Sequence, residues 1–230
     1  MQHTESHHTE SQHSESHPTE STGVPEASFN STLHASLVVE VCVQYDDVLL
    51  DEQTRQQPSD SLATSQSVLQ TQIMPMMVPL LAEIRTIPWN KWVTLWLAQL
   101  APNYSPIDAY ELALRLTDDS GIQVLNAEYR DRDRPTDVLA FATIDSPYEL
   151  PVELYEAQPY YLGDIVISLE TAYLQAQEAG HSLTTELAWL SSHGLLHLLG
   201  WDHPDEKSLE SMLDKQHALL SLIDLTGISA

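Results

Sequence analysis

Apolar and polar residues alternate along parts of the chain with the period of two that is typical of β-strands. Residues 36–45, SLVVEVCVQY, place Leu37, Val39, Val41, Val43 and Tyr45 on one face, which predicts a strand. Shorter apolar runs predict three further strands, over residues 109–116, 138–143 and 162–168. The chain therefore offers four strands for a sheet.

Five stretches show the three- and four-residue spacing of helices with a buried face. They are residues 88–100, 117–129, 168–180, 182–200 and 204–223. The first begins with Pro88, and its stripe of Trp89, Trp92 and Trp96 predicts a place in the core rather than a platform for stacking bases. Helices and strands alternate irregularly, which predicts one α+β domain from about residue 33 to residue 225.

Two stretches lack an apolar period and are expected to lie outside the packed domain. Residues 3–22 repeat a polar five-residue unit, HTESH, HTESQ, HSESH, PTEST, which has almost nothing to bury. We predict a disordered tail over residues 1–32, rich in His, Glu, Ser and Thr. Its histidines could scavenge metal, but a solvated low-complexity tail is the favoured interpretation. Residues 46–72, rich in Gln and Ser, predict a flexible insertion.

Composition and charge limit the classes of partner. The 230 residues carry a net charge of −25, which opposes broad affinity for nucleic acid, so an anionic substrate must be held by a local site. Neither DNA nor a membrane is expected as a partner, since no apolar run approaches the roughly 20 residues that span a bilayer. Cys42 is the only cysteine, so it cannot form an internal disulfide and is expected to be a packing residue. The N-terminus lacks the basic and apolar regions of a secretory signal, and the expected location is the cytoplasm.

HGLLHLLGWDH, residues 193–203, is the strongest candidate for a chemical site. Four residues make about one helical turn, so His193 and His197 project from the same face of the predicted helix. Gly200 is expected to end the helix and let the chain reverse, which brings His203 back towards the pair. Three neutral imidazoles leave one position of a tetrahedral zinc ion for water, the arrangement of a catalytic site. We therefore predict one zinc ion per chain, bound by these three histidines.

The motif differs from a zinc-peptidase signature at one position. Its spacing, HxxxHxxGxxH, matches the ligands and glycine of metzincins. Gly194, however, stands where the HExxH sequence has a glutamate that takes a proton from water. A metal ion can itself lower the pKa of a water molecule to about 7. Phosphoryl chemistry depends more on positioning and charge stabilisation than on a dedicated base, so a guanidinium near the metal would favour a phosphodiester substrate.

LNAEYRDRDRPTDVLAF, residues 125–141, supplies candidate guanidinium groups. Arg130, Arg132 and Arg134 alternate with aspartates, a pattern that usually marks a solvated loop with weak ion pairs. These three are a third of the nine Lys and Arg residues in the chain, and they precede a turn and an apolar strand. The segment, predicted as a loop, is therefore a candidate for holding a phosphate near the metal.

Three blocks together resemble the YbeY family of metal-dependent endoribonucleases, also called ribosomal RNA maturation factors. They are NAEYRDRDRPTDVLAF (126–141), LGDIVI (162–167) and HGLLHLLGWDH (193–203). The similarity covers roughly residues 85–220 and departs from the family pattern at Ala140, usually serine, and at Trp201, usually tyrosine. Neither position supplies a metal ligand.

The resemblance carries the family's functional residues onto this chain. It implies that the metal ligands are His193, His197 and His203 and that the functional arginine is Arg130. It also implies that Gly194 is the family's own residue rather than damage to a peptidase.

A fold and a reaction are implied as well. The fold is zincin-like α+β, with a mixed four-stranded sheet packed against helices. The reaction is single-strand-specific cleavage of RNA in 3′-end maturation of small-subunit ribosomal RNA and in ribosome quality control. Ribosomal RNA, precursors of the small subunit and their associated proteins are the expected partners.

Two other functions remain open from the sequence. One is a metzincin-like zinc peptidase, which a peptide-library cleavage assay would detect and to which Gly194 is the main objection. The other is a non-catalytic, ribosome-associated factor whose metal clamps a helix end. The open fourth coordination position argues against the second, because structural zinc usually has four protein ligands.

Overall fold

A computed structural model describes residues 37–46, 49, 79–145 and 157–225. The predicted tail over residues 1–32 lies outside the described residues, as does nearly all of the predicted insertion over 46–72. Two residues of that insertion are described. Asp46 receives two hydrogen bonds of 2.8 Å from the Arg115 guanidinium, and Leu49 is buried in the core.

The four predicted strands form one mixed sheet. They are β1 (Val38–Tyr45), β2 (Ala109–Thr117), β3 (Val138–Ala142) and β4 (Tyr160–Ser168), in the order β1-β2-β4-β3. β1 and β4 both pair with β2 in parallel, whereas β3 pairs with β4 antiparallel. The predicted α+β class with a four-stranded mixed sheet is confirmed for the described residues.

Five helices follow the spacing expected from the sequence, and every end lies within two residues of its predicted position. They are α1 (Trp89–Leu100), α2 (Asp119–Arg130), α3 (Leu169–Ala179), α4 (Leu183–Leu198) and α5 (Glu206–Ser221), preceded by a helical turn over residues 79–84. Side-chain caps explain several starts: the oxygens of Asp118, Ser168, Ser182 and Asp205 each accept a backbone N–H of the first turn.

The main core lies between one face of the sheet and the helices α1, α4 and α5. Trp89, Trp92 and Trp96 are all buried, as their spacing predicts, and the indole Nε1 of Trp96 donates to the backbone oxygen of Leu219 at 2.9 Å. α4 is the central helix, with contacts to β3, β4, α3 and α5. A helix surrounded in this way is held on several sides, so its polar side chains have fixed positions.

The opposite face of the sheet is covered only in part among the described residues. α2 packs there through Ile122 against Leu139 of β3 and Val166 of β4. Cys42, on the edge strand β1, is exposed, so the expectation that it is a packing residue is wrong. Its thiol instead lies 3.8 Å from the Nε2 of Gln44, which donates to it. In the part of the chain that is described, no helix is both long and apolar enough to cross a membrane.

Candidate metal centre

Two imidazoles stand one turn apart on α4, on the side that faces an open pocket. The ring centroids of His193 and His197 are 4.7 Å apart, and their Nε2 atoms are separated by 3.1 Å. The helix that carries them is capped by Ser182 and buried along most of its length. The pair is therefore held on a rigid element before any metal binds.

The third imidazole comes back to the pair because α4 ends in a tight reversal. Gly200 has a left-handed φ of 79°, its N–H donates to the His197 oxygen, and the Trp201 N–H donates to the Leu196 oxygen. These two bonds are those of a Schellman motif. His203 then lies with its ring centroid 5.5 Å from His193 and 5.3 Å from His197. One nitrogen from each ring lies within 4.8 Å of the other two.

The chemistry of these donors fits a metal ion. Burial, followed by the neighbouring His197, lowers the pKa of His193 to about 4. Burial and then His203 lower the pKa of His197. Both rings are therefore neutral at neutral pH, the form whose lone pair binds metal. Zinc–nitrogen bonds of about 2.0–2.1 Å in a tetrahedral site place neighbouring nitrogens about 3.3 Å apart, close to the 3.1 Å found here.

Gly194 has no room for the glutamate of a peptidase. A Cβ at this position would lie 2.8 Å from Cγ2 of Ile165 in β4 and 3.2 Å from two further atoms of that side chain. Real Cβ atoms essentially never approach another heavy atom so closely. The glycine thus lets α4 lie against the sheet, and it faces the core as well as the pocket. This contact disfavours the metzincin-like peptidase.

Arg130 shares the pocket with the three histidines. The pocket has a volume of about 400 Å³ and is lined also by Asp137, Trp189 and Asp202. Arg132 and Arg134 do not line it, although both are described and exposed. The structure thus singles out the arginine that the resemblance indicates.

The prediction that Arg130 lies in a loop is wrong, because it is the last residue of α2. The chain turns just after it, at Asp131, whose φ is 55°. Asn126 holds this turn: its backbone oxygen accepts the N–H of Arg132, and its side-chain Nδ2 donates to the Arg134 oxygen at 2.8 Å. The base from which the Arg130 side chain extends is therefore fixed.

Two residues at the site were not recognised in the sequence. Asp137, taken only as part of a turn, lines the pocket and accepts from the Val138 N–H at 2.8 Å and from Gln175 Nε2 at 3.1 Å. Gln216, on an otherwise apolar face of α5, is fully buried beside His193. In the sequence, the one indication of a role for Gln216 was that it is a polar residue on an otherwise apolar helix face.

Asp202 and two further histidines have local roles. Asp202 accepts the backbone N–H of His203 at 2.8 Å, which shapes the turn, and it also lines the pocket. His181 is part-buried and pairs with the buried Glu186. His217 packs edge-on against Trp189.

Similarity to known proteins defines the class. The family described as Endoribonuclease YbeY matches residues 81–224. The Endoribonuclease YbeY of Acaryochloris marina is 55% identical over 148 residues, which are 64% of this chain and 82% of that protein. The Endoribonuclease YbeY of Picosynechococcus sp. is 52% identical over 145 residues, covering 63% and 88% respectively. That of Synechocystis sp. is 53% identical over 141 residues, covering 61% and 79%.

These similarities make the chain an RNA-cleaving hydrolase. It belongs to the YbeY family of endoribonucleases, which confirms the resemblance found in the sequence. A solution structure of TM1509 from Thermotoga maritima, 17% identical, superimposes with a TM-score of 0.35 over 81% of this chain and 92% of that one.

Proposed function

We propose that this protein is a zinc-dependent, single-strand-specific endoribonuclease with a zincin-like fold. Its substrate is ribosomal RNA in precursors of the small subunit, where it matures the 3′ end and takes part in ribosome quality control. The observation that carries the proposal is the convergence of three imidazole nitrogens within 4.8 Å of one another in a pocket that also holds Arg130.

His193, His197 and His203 would hold the metal. Three nitrogen donors, with no thiolate and no carboxylate among them, suit zinc among the common divalent ions. When bound, the ion supplies a Lewis acid and a nucleophile from water at neutral pH. The burial that keeps His193 and His197 neutral keeps their lone pairs available for it.

Arg130 would bind the scissile phosphate. Its planar guanidinium can donate to two phosphate oxygens at once, which both neutralises and orients the group. Charge grows on those oxygens as the phosphodiester is attacked, so the contact strengthens in the transition state.

The charge of the whole chain decides where selectivity comes from. A net charge of −25 repels RNA at long range, so binding must depend on contacts close to the pocket. Proteins of the small ribosomal subunit would supply the remaining affinity by binding the acidic surface. A ribosomal substrate also agrees with the cytoplasmic location expected from the sequence.

The test is to incubate the zinc-loaded protein with small-subunit precursor particles and to map the RNA ends that appear. We expect new 3′ ends with the wild-type chain and none with His197→Ala. A peptide library and a double-stranded RNA of the same sequence serve as parallel substrates. Cleavage of peptides, or new ends that do not depend on His197, would contradict the proposal.

A further inference from the structure

Gln216 of α5 is a polar residue in an unusual place. Its side chain is fully buried, and a buried amide is costly unless its donor and acceptor ends are bonded. Both ends have partners on α4. Nε2 donates to the backbone oxygen of Trp189 at 2.8 Å, and Oε1 lies 3.4 Å from Nδ1 of His193.

The first of these bonds fixes the orientation of the amide. A backbone oxygen can only accept, so the NH2 group of Gln216 must face Trp189. The amide oxygen is thereby directed towards His193. Because that oxygen carries only lone pairs, it selects the form of His193 that has a proton on Nδ1.

The geometry of His193 makes this selection matter. Its Nε2 is the atom that faces the other histidines, 3.1 Å from Nε2 of His197. A proton on Nδ1 leaves the lone pair on Nε2, the nitrogen that points into the site. A second hydrogen bond of this kind is what commonly orients an imidazole ligand in metal sites.

We propose that Gln216 is a positioning residue, which holds His193 in the tautomer and orientation that bind the metal. The inference rests on the proposed metal site. It adds a residue of α5 to that site, although α5 carries no ligand. The hydrogen bond from Gln216 to Trp189 contributes to this positioning, since it directs the amide oxygen towards His193.

The test measures zinc affinity of the full chain by competition with a chromophoric chelator. Gln216→Met keeps the length of the side chain but removes the acceptor, and we expect zinc affinity to fall about 10- to 100-fold. Gln216→Glu loses the donor to Trp189, but both of its carboxylate oxygens accept, so it presents an acceptor to Nδ1 without that bond. Its zinc affinity should stay within about threefold of wild type. Leu220→Val is the matched control, a buried residue of α5 that does not line the pocket, and it should leave affinity unchanged.

The outcomes separate this inference from the proposed function. If the wild-type chain binds no zinc that depends on His197, the metal site itself is wrong. If it does bind, but Gln216→Met binds equally well, or if all three variants weaken binding alike, Gln216 only ties α5 to α4.

A second measurement serves if a variant does not fold. The 15N shifts of His193 in the metal-free wild-type chain should show the proton on Nδ1. A proton mainly on Nε2 would overturn the inference.

Discussion

At the scale of single residues, Arg130 differs from the neighbouring arginines by its position relative to the pocket. It is one of three neighbouring arginines, yet among them only Arg130 lines the pocket with the histidines. All three are exposed, so removing any of them opens no cavity in the core. Their substitution therefore separates a specific phosphate contact from a general effect of charge.

Arg130→Ala should keep the metal content and melting temperature of the wild type but lose most RNA cleavage. Removing one transition-state donor typically costs on the order of 3 kcal/mol, about a hundredfold in rate. Arg132→Ala and Arg134→Ala should lose much less, and Arg130→Lys should recover only part of the activity because it cannot bind two oxygens in a plane. Cleavage rates at two salt concentrations check this. Equal losses in all three alanine variants, mimicked by salt, would reduce the segment to an electrostatic patch.

Glu170 makes the stability of the folded chain depend on pH, independently of the proposed metal site. It is buried near the start of α3, where its Oε2 accepts the Asp119 N–H at 2.9 Å. Burial, and then the neighbouring Asp119 and Asp118, raise its pKa to about 7. The folded chain thus retains a proton that the unfolded chain releases at a lower pH. The stability this provides is complete below about pH 4.5 and is lost as the pH rises through about 7.

Glu170→Gln should therefore stabilise the protein more at pH 8 than at pH 5.5, since the amide stays neutral. Melting temperatures of the two proteins at both pH values measure this, and contributions from histidines cancel in the difference. Glu178→Gln, an exposed position on the same helix, is the control and should show no such difference. An equal effect of Glu170→Gln at both pH values would show that the carboxyl is charged throughout.

At the scale of elements, the sequence was informative wherever a feature is local. The periods of two and of about 3.6 located the strands and helices, and the glycine at 200 located the reversal after α4. Contacts between distant elements were not visible in this way. The closeness of Gly194 to Ile165, 29 positions earlier in the chain, depends on how α4 lies on the sheet. Asp131 ends α2 through a backbone angle that no pattern of charges indicated.

Gly194→Ala should lower the free energy of unfolding by about 1–3 kcal/mol, the usual cost of forcing a methyl group into a packed interior. Gly194→Glu, which completes an HExxH sequence, should be more destabilising and should create no peptidase. Denaturant unfolding checks both. In the pair Gly194→Ala with Ile165→Ala, the combined loss should be less than the sum of the single losses, because the second change removes the obstructing atoms. If the two single losses in the free energy of unfolding simply add, the added methyl group at position 194 does not press on the Ile165 side chain.

At the scale of the whole molecule, the histidine-rich N-terminal repeat affects any measurement of how much metal the chain binds. Residues 1–30 have almost no apolar sequence to bury. Deleting them should leave the melting temperature and RNA cleavage within error of the full chain, and it removes five histidines that could bind stray metal. The shortened chain should hold one zinc ion, and His197→Ala should abolish it. A melting temperature several degrees lower after the deletion would show that these residues pack on the domain, and full zinc content in His197→Ala would exclude the ligand set.

The reversal at Gly200 divides the three proposed metal ligands between two kinds of structure, and this has a kinetic consequence. His193 and His197 belong to a buried helix, whereas His203 lies in the short connection between α4 and α5. Opening that connection would withdraw one ligand while the helix stays folded. Zinc should therefore leave much faster than the chain unfolds globally. Amide hydrogen exchange at residues 201–203 and 205 should follow the rate of zinc release, while the amides of α4 remain protected.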